Sequence, residues 1–298
     1  MILVKYKGYE TPFVSGMVIE SVTRAGMKPW QAYSFAKEID DELLGKNIEE
    51  IDSEDLSELV YKRLNNINSK VAGRYRAWRE IKKGEEEPLI VLIGGGTAVG
   101  TTTVGVEVAH RIGIKNTIAT DSIREVMRKT LSDKLFPILH ASSYEAHNHL
   151  NLPVVKEKDK ELTSFYFQTW AISVGIDAII ERALKEGTPT LIEGIHIVPG
   201  MISSELVNKD NVMLFMLDLK GEKEHRNRLY TRAYETKFKR PVDKYLDNFS
   251  TIRKIQKSLI EKAKENDIPV LENSDVESTV TEIIDISIEA MVKNRRND

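Results

Sequence analysis

The chain has 298 residues and a net charge of −3, a length that suggests two domains and a charge that offers no global basic field for nucleic acid. It contains no cysteine, which excludes disulfides, thiolate metal sites and a cysteine nucleophile. No apolar run approaches the ~18 residues of a membrane span, and the opening Met1–Gly8 lacks the apolar core of a signal peptide. We therefore expect a cytoplasmic protein without a membrane or nucleic-acid partner; a homo-oligomer is compatible with the sequence.

The first predicted domain, residues 1–88, is small and mostly helical. A short apolar stretch, Ile2–Val4, leads to a turn at Gly8, and apolar residues then recur at helical spacing up to Gly26. Further helical segments are predicted at about 29–45, 53–66 and 67–83. The charged segment 82–88 contains glycine and proline and predicts a linker at the end of this domain.

The second predicted domain, residues 89–298, alternates short apolar runs with helical patterns. The runs lie at Leu89–Ile93, Thr117–Ala119, Thr190–Ile192, Val212–Leu217 and Ile268–Leu271. The helical patterns lie at Thr102–Ile112, Ser122–Leu131, Leu162–Lys185, Lys223–Tyr234, Asp243–Glu265 and about 276–293. Such runs suit strands that are buried on both faces of a parallel sheet. The alternation predicts a doubly wound α/β domain, in which ligands bind beyond the carboxyl ends of the strands.

A glycine-rich segment after the first of these runs predicts a phosphate-binding loop. Gly95 and Gly100 have the Walker A spacing, and backbone N–H groups at a helix N-terminus make a seat for a polyphosphate. Thr102 stands where a hydroxyl ligates Mg²⁺, whereas Thr101 occupies the usual lysine position. The predicted nucleotide-binding residues are Gly95, Gly96, Thr97, Ala98, Val99, Gly100, Thr101, Thr102 and Thr103. A plain glycine turn is the alternative; a dinucleotide fingerprint fails because Val99 replaces its third glycine.

A carboxylate and two arginines follow the second predicted strand. Asp121 is placed to face the phosphate loop and to accept the proton of an acceptor hydroxyl, so it is predicted to be catalytic. Arg124 and Arg128 share one helix face and are predicted to bind an anionic substrate. The alternatives are a helix cap at Asp121, since Ser122 and Glu125 have capping-box spacing, and a solvated face for the arginines.

Three further residues are candidates for the metal and the acceptor. Glu193 ends the third predicted strand, where a carboxylate matches a Walker B-like role, so it is predicted to hold Mg²⁺ together with Thr102. His196 and Tyr144 are predicted to bind substrate, the first just beyond that strand and the second at the end of the polar segment Leu139–Tyr144. A solvated Glu193 and a histidine without functional role are the alternatives.

Two arginines lie four residues apart on the helical segment after the fourth predicted strand. In kinases, arginines on a mobile segment close over the phosphates and neutralise the charge that develops during transfer. Arg228 and Arg232 are therefore predicted to be catalytic and to compensate for the missing loop lysine. An exposed charged helix is the alternative.

These motifs indicate a kinase that uses ATP and Mg²⁺ to phosphorylate an anionic small molecule. Two other interpretations stay open. One is a P-loop kinase for a different acceptor, such as a nucleoside monophosphate or an aminoacyl-tRNA. The other is a nucleotide-binding regulator without catalysis, which Thr101 in the lysine position would suit.

The second domain resembles the archaeal 2-phosphoglycerate kinases. The resemblance is carried by the phosphate loop, Thr120–Glu125, His140–Tyr144, Leu191–Gly200 and Arg226–Arg232. It implies a P-loop kinase-type parallel sheet flanked by helices and transfer of the γ-phosphoryl group of ATP to the 3-hydroxyl of 2-phosphoglycerate. The product would be 2,3-bisphosphoglycerate, which would feed the synthesis of cyclic 2,3-diphosphoglycerate.

The first domain resembles the ATP-cone, a small regulatory module that binds nucleotides. Pro12, Phe13 and Gly26 fit the pattern of that module, and Lys5 matches its first basic residue. Tyr6 stands where an arginine is expected. The resemblance implies a regulatory role for this domain.

Overall fold

The computed structural model describes residues 2–83, 87–149, 159–235, 237, 239 and 242–295. The chain divides into two compact units, of which the first contains Met1–Glu86, Arg111–Gly113 and Ile284–Asp298 and the second contains Glu87–His110 and Ile114–Ile283. The boundary predicted at residue 88 stays a prediction, since part of the predicted linker, residues 84–86, lies outside the described residues.

The first unit combines a small sheet with four helices. Its strands are β1 (Leu3–Tyr6), β2 (Tyr9–Pro12) and β3 (Glu50–Asp52). Its helices are α1 (Ser15–Arg24), α2 (Pro29–Gly45), α3 (Ser53–Ile67) and α4 (Ser69–Lys83). β1 pairs antiparallel with β2 and parallel with β3. The four helices confirm the sequence prediction, whereas β2 and β3 were missed because their side chains are mostly exposed and form no apolar run.

Local signals explain how these elements begin and end. Lys7 and Gly8 have positive φ angles of 46° and 86°, which allow the tight turn between β1 and β2. Pro29 occupies the first turn of α2, where its missing N–H costs nothing. The Asp52 carboxylate caps α3 by accepting a 2.7 Å hydrogen bond from the Glu54 N–H. Apolar faces of all four helices then close one core.

The second unit is built on a five-stranded parallel sheet. Its strands are β4 (Ile90–Gly95), β5 (Asn116–Ala119), β6 (Thr190–Gly194), β7 (Val212–Asp218) and β8 (Val270–Glu272), in the spatial order β5-β6-β4-β7-β8. All four strand pairings are parallel. The predicted parallel sheet is thus confirmed, and the first strand of this unit, β4, lies at its centre. Later strands of the chain lie on both sides of β4, with β6 on one side and β7 on the other. A ligand crevice is therefore expected beyond the carboxyl end of β4.

A helix follows each of these strands, as the sequence predicts for a doubly wound fold. They are α5 (Thr101–Ile112), α6 (Thr120–Thr130), α7 (Lys160–Lys185), α8 (Ser204–Val207), α9 (Glu222–Glu235), α10 (Val242–Asp247), α11 (Phe249–Glu265) and α12 (Val276–Arg295). Short 3₁₀ turns at Pro137–His140 and Ala146–Asn148 lie between α6 and α7. Among the described residues, none of the helices is both long and apolar enough to traverse a bilayer.

One predicted helix, Asp243–Glu265, is instead two helices that meet at Asn248. The backbone at Asn248 is not helical, with φ −103° and ψ 14°. The Asn248 side chain donates a 2.9 Å hydrogen bond to the Lys244 carbonyl. The prediction of one continuous helix was therefore wrong. The apolar periodicity continues through the break, which is why the pattern conceals it.

Burial of the sheet centre predicts how substitutions change stability. Ile192 in β6 is fully buried, whereas Val174 on α7 is 63% exposed. We expect Ile192→Ala to lower the free energy of unfolding by about 2–5 kcal/mol, through lost burial and a cavity, and Val174→Ala to change it by less than about 0.5 kcal/mol. Urea unfolding followed by circular dichroism measures both values. Equal losses would contradict this assignment of the core.

Candidate active site

The phosphate loop joins the end of β4 to the start of α5 and is shaped by close contacts. A Cβ at Gly95 would lie 2.5 Å from the Val99 side chain, and one at Gly96 would lie 2.3 Å from Gln256 Oε1. Ala98 and Gly100 have positive φ angles of 63° and 101°. The loop thus curls tightly at the N-terminus of α5, where backbone amides and the helix dipole favour an anion.

Two side chains hold the first half of this loop. Gln256 on α11 accepts a 2.6 Å hydrogen bond from the Gly96 N–H, and its amide nitrogen donates to Leu217 O at 3.0 Å. His225 on α9 places Nε2 2.6 Å from the Thr97 carbonyl oxygen, to which it donates. Burial lowers the pKa of His225, so the imidazole is held neutral. These hydrogen bonds hold the first half of the loop against α9 and α11.

Arg228 holds the second half of the loop. It donates to the Val99 carbonyl oxygen at 3.0 Å and to Glu224 at 2.6 Å, and it also hydrogen-bonds the Asn273 carbonyl. The Asn273 amide donates to the same Val99 oxygen at 2.7 Å. The sequence predicted Arg228 on a mobile segment above the phosphates. In the structure its guanidinium is instead engaged with the loop backbone, because its helix α9 packs beside the loop.

A buried carboxylate faces the start of α5. The Thr101 and Thr102 hydroxyls donate to the two oxygens of Glu193, at 2.6 and 2.9 Å. Burial raises the pKa of Glu193 above its ordinary value; the two threonine hydrogen bonds and the Arg232 charge oppose that rise, and the Asp121 charge adds to it. Thr101 thus occupies the position of the usual lysine and supplies a neutral donor to this carboxylate.

The donors at this point fit a magnesium ion. The Thr102 hydroxyl and the Glu193 carboxylate are neighbouring hard oxygen ligands, and Mg²⁺ in phosphoryl-transfer sites takes one or two protein oxygens with water and phosphate. Within the described residues, no group of three or more histidine or acidic side chains could hold a metal alone. The remaining ligands would thus come from nucleotide phosphate and water.

Asp121 lies at the end of β5, the strand beside β6. The helix α6 begins one residue earlier, at Thr120, and Ala119 occupies the capping position without a side-chain cap. The helix-cap alternative for Asp121 is therefore not what the structure contains. Its carboxylate is about half exposed and 3.5 Å from the Arg124 guanidinium. Ala119 pairs with Glu193 in the sheet, so Asp121 follows the strand end beside that carboxylate, and its charge adds to the rise in the pKa of Glu193.

The two arginines predicted on one face of α6 are in different surroundings. Arg124 is largely buried and donates to the Ala141 carbonyl at 2.7 Å, which ties α6 to the segment before Tyr144. Arg128 forms a 2.8 Å ion pair with Glu125 and is 35% exposed. Both stay candidates for an anionic acceptor, with Arg128 the more accessible of the two.

The Arg232 charge acts on two candidate site residues, Tyr144 and Glu193. Burial raises the pKa of Tyr144 to about 12, and the Arg232 charge opposes that rise. The Tyr144 ring lies 5.6 Å from that of Tyr245 on α10. The same Arg232 charge opposes the rise in the pKa of Glu193. Tyr144 is protonated at neutral pH and can donate a hydrogen bond.

His196 has no exposed surface, so it cannot touch a substrate in this arrangement. Its ring nitrogens lie 3.1–3.2 Å from Gln168, Ser143 and Thr120. The prediction that His196 binds the acceptor is therefore corrected to a supporting position behind it. Gln168, which the sequence analysis missed, carries no motif; the signal available was a polar residue on the apolar face of α7.

Both parts of the chain are similar to known proteins. The model of the ATP cone domain matches residues 1–84. A 2-phosphoglycerate kinase of Methanopyrus kandleri is 42% identical over 99% of this chain and 89% of its own length. The protein of the same name from Methanothermobacter thermautotrophicus is 42% identical, over 96% of this chain and 94% of its own. That from Pyrococcus horikoshii is 38% identical, over 92% and 89%.

Solved structures also resemble the chain. Shikimate kinase from Acinetobacter baumannii in complex with shikimate aligns with a TM-score of 0.42 and 14% identity, over 68% of this chain and 94% of that one. A gluconokinase from Sinorhizobium meliloti aligns with a TM-score of 0.37 and 14% identity, over 71% and 95%.

The contact between Thr101 and Glu193 predicts a measurable pKa change. A hydroxyl that donates to a carboxylate favours its charged form, so Thr101→Val removes a stabilising contact and should raise the pKa of Glu193 further. A ¹³C NMR titration of glutamate-labelled protein measures the midpoint, with Glu193→Gln to assign the signal. Ser258→Ala, distant in the chain and bonded to Tyr166 instead, is the control. An unchanged midpoint in Thr101→Val would reject the coupling.

Proposed function

This chain belongs to the archaeal 2-phosphoglycerate kinase family, and we propose that it transfers the γ-phosphoryl group of ATP to the hydroxyl at carbon 3 of 2-phosphoglycerate. That hydroxyl is the one left free in the substrate, so the product is 2,3-bisphosphoglycerate. The observation that carries the proposal is one cleft at the strand ends, where the phosphate loop, Glu193 and Asp121 meet. Relatives that match nearly the whole chain support the same acceptor.

On the nucleotide side, we propose that backbone amides of the phosphate loop and the N-terminus of α5 bind the triphosphate. Thr102 and Glu193 would hold Mg²⁺, which would neutralise charge on the phosphate oxygens. Arg232 supplies the positive charge that a loop lysine normally gives, since its charge already acts on Glu193. Arg228 shapes the loop through the Val99 carbonyl.

On the acceptor side, Asp121 orients the substrate hydroxyl and accepts its proton. The hydroxyl oxygen bonds to the γ-phosphorus, the bond from that phosphorus to the bridging oxygen breaks, and ADP leaves. The substrate carries a carboxylate and a phosphate, which Arg124, Arg128 and Arg232 offset. Tyr144, with a pKa of about 12, stays protonated and donates a hydrogen bond.

We propose a regulatory role for the first domain, residues 1–88, and assign the kinase reaction to the second domain, residues 89–298. The match to the ATP cone domain supports it. So does a cavity of about 260 Å³ within the first unit, whose walls include Arg24, Tyr75 and Trp78.

An acceptor screen tests the function. Purified protein with ATP and Mg²⁺ is mixed in turn with 2-phosphoglycerate, 3-phosphoglycerate, glycerate and a nucleoside monophosphate, and ADP release is followed. We expect release to depend on 2-phosphoglycerate, with 2,3-bisphosphoglycerate formed in equal amount. Faster release with another acceptor would reject the substrate. ATP binding without acceptor-dependent release would favour a regulator without catalysis.

The role of Asp121 predicts a split between turnover and nucleotide binding. Asp121→Asn keeps the size of the side chain but removes the base, so kcat should fall by roughly 10²-fold or more. The dissociation constant of ATP should stay within about threefold, because the backbone of the loop and the threonine hydrogen bonds to Glu193 remain. Steady-state kinetics and calorimetry give the two values. A variant with normal kcat would leave Asp121 with a structural role only.

A further inference from the structure

A buried polar cluster links four segments on the acceptor side of the cleft. It consists of His196, Gln168, Thr120 and Ser143 and is called the acceptor hub below. The first three are fully buried and Ser143 is 8% exposed. The rings of Phe165 and His196 lie 6.4 Å apart, with an interplanar angle of 29°. Neutral polar groups are buried without penalty only when they are hydrogen-bonded, so these contacts fix one another.

The hydrogen bonds of the hub determine the tautomer of its histidine. The Gln168 amide nitrogen donates to Ile138 O at 2.5 Å and to Ala141 O at 3.1 Å, so its oxygen must be the atom that faces His196 Nε2, at 3.1 Å. Nε2 therefore carries the proton. Nδ1 then accepts from the Thr120 hydroxyl at 3.2 Å. Burial lowers the pKa of His196 to about 4, which agrees with a neutral ring.

Each nitrogen of His196 controls a different part of the acceptor side. Nδ1 reaches Thr120, the residue before Asp121 at the start of α6. A Cβ at Gly194 would lie 2.1 Å from the Thr120 hydroxyl oxygen, so glycine is required for this approach. Nε2 faces Gln168 and, at 3.2 Å, the Ser143 hydroxyl.

The contact of Nδ1 with Thr120 is called the Nδ1 arm below, and the contacts of Nε2 are called the Nε2 arm. The Nε2 arm continues toward the segment that carries Tyr144. Gln168 and Arg124 both donate to the Ala141 carbonyl, at 3.1 and 2.7 Å, and Ser143 directly precedes Tyr144. The position of Tyr144 therefore depends on hydrogen bonds that end at His196. Both arms start from the imidazole ring of His196, which is fully buried.

We propose that His196 and Gln168 are positioning residues for the acceptor side. The Nδ1 arm fixes the position of Asp121, and the Nε2 arm fixes the segment that carries Tyr144. The proposal rests on the kinase function proposed above and deepens it. The Nδ1 arm determines kcat through the position of Asp121, and the Nε2 arm determines the affinity for the acceptor. The ATP side is held separately, through Gln256 and His225.

Two amide substitutions separate the arms. In His196→Asn the side-chain oxygen can occupy the place of Nδ1 and keep the Thr120 contact, whereas the Nε2 arm is lost. In His196→Gln the terminal amide nitrogen can occupy the place of Nε2 and keep the Gln168 contact, whereas the Nδ1 arm is lost. Loss of a partner for a buried polar group commonly costs on the order of tenfold in an equilibrium.

Steady-state kinetics with wild type as reference gives the test. We expect His196→Asn and Gln168→Leu to raise the KM for 2-phosphoglycerate roughly tenfold with kcat within about threefold. We expect His196→Gln to lower kcat roughly tenfold with that KM nearly unchanged. The KM for ATP should be unchanged in all three variants. Tyr166→Phe, which removes a 2.6 Å hydrogen bond between α7 and α11 outside the hub, should match wild type.

Other outcomes overturn the proposal. Equal changes in kcat and both KM values would mean that the hub only stabilises the fold, and kinetics like those of Tyr166→Phe would mean that it does nothing for the reaction. If the histidine variants unfold, Thr120→Val and Ser143→Ala test the same split, with Thr120→Ser as the rescue. A wild type that releases no ADP with 2-phosphoglycerate would reject the proposed function, whereas an active wild type without the split rejects the hub alone.

Discussion

The pairing of β4 with β6 places a carboxylate against the phosphate loop, and the chemistry of the cleft depends on that contact. Ile93 lies opposite Glu193 in the parallel register, one residue before the glycines begin. The first turn of α5 then returns over the end of β6, so that the Thr101 and Thr102 hydroxyls meet both carboxylate oxygens. A buried charge is tolerated only when it is hydrogen-bonded or paired, and these two donors meet that condition.

The absence of a loop lysine is understood from the charges around this contact. The pKa of Glu193 is raised because burial and the nearby Asp121 outweigh the two hydroxyls and Arg232. A divalent cation bound at this site would lower the free energy of both carboxylates, because their negative charge is stabilised less here than in water. A lysine ammonium beside Glu193 would compete with such an ion for the same oxygens. A neutral threonine leaves them available.

Much of the fold was predictable because the apolar pattern is strong where burial is complete. The runs that became β4, β6 and β7 are almost entirely buried, and the consecutive glycines at the end of β4 indicate the loop. Exposed β2 has no such pattern, and the break at Asn248 is hidden by a periodicity that continues across it. These elements are fixed by tertiary packing, which a single sequence does not display.

Candidate site residues were predictable where chemistry demands a charge. Asp121 and Glu193 stand at strand ends, and Arg232 lies four residues beyond Arg228 on one helix, so position and residue type together point to them. The role of Arg228 was not predictable, because its partner is a backbone carbonyl of the loop. Gln168 was missed for a related reason: amides serve many structural purposes, and spacing carries no information about their partners.

Apart from Arg228 and Arg124, the residues that support the cleft are neutral, whereas the candidate catalytic residues are charged. Gln256, Gln168, Asn273 and His196 are at most 2% exposed and are amides or a neutral imidazole. A neutral group that is fully hydrogen-bonded keeps its geometry when charge moves nearby, since no protonation state has to change. During phosphoryl transfer a proton leaves the acceptor and negative charge shifts toward the bridging oxygen. These neutral groups, together with Arg228 and Arg124, hold the loop and the segment before Tyr144 in place while that shift occurs, which is the condition for stabilising charge without reorganisation.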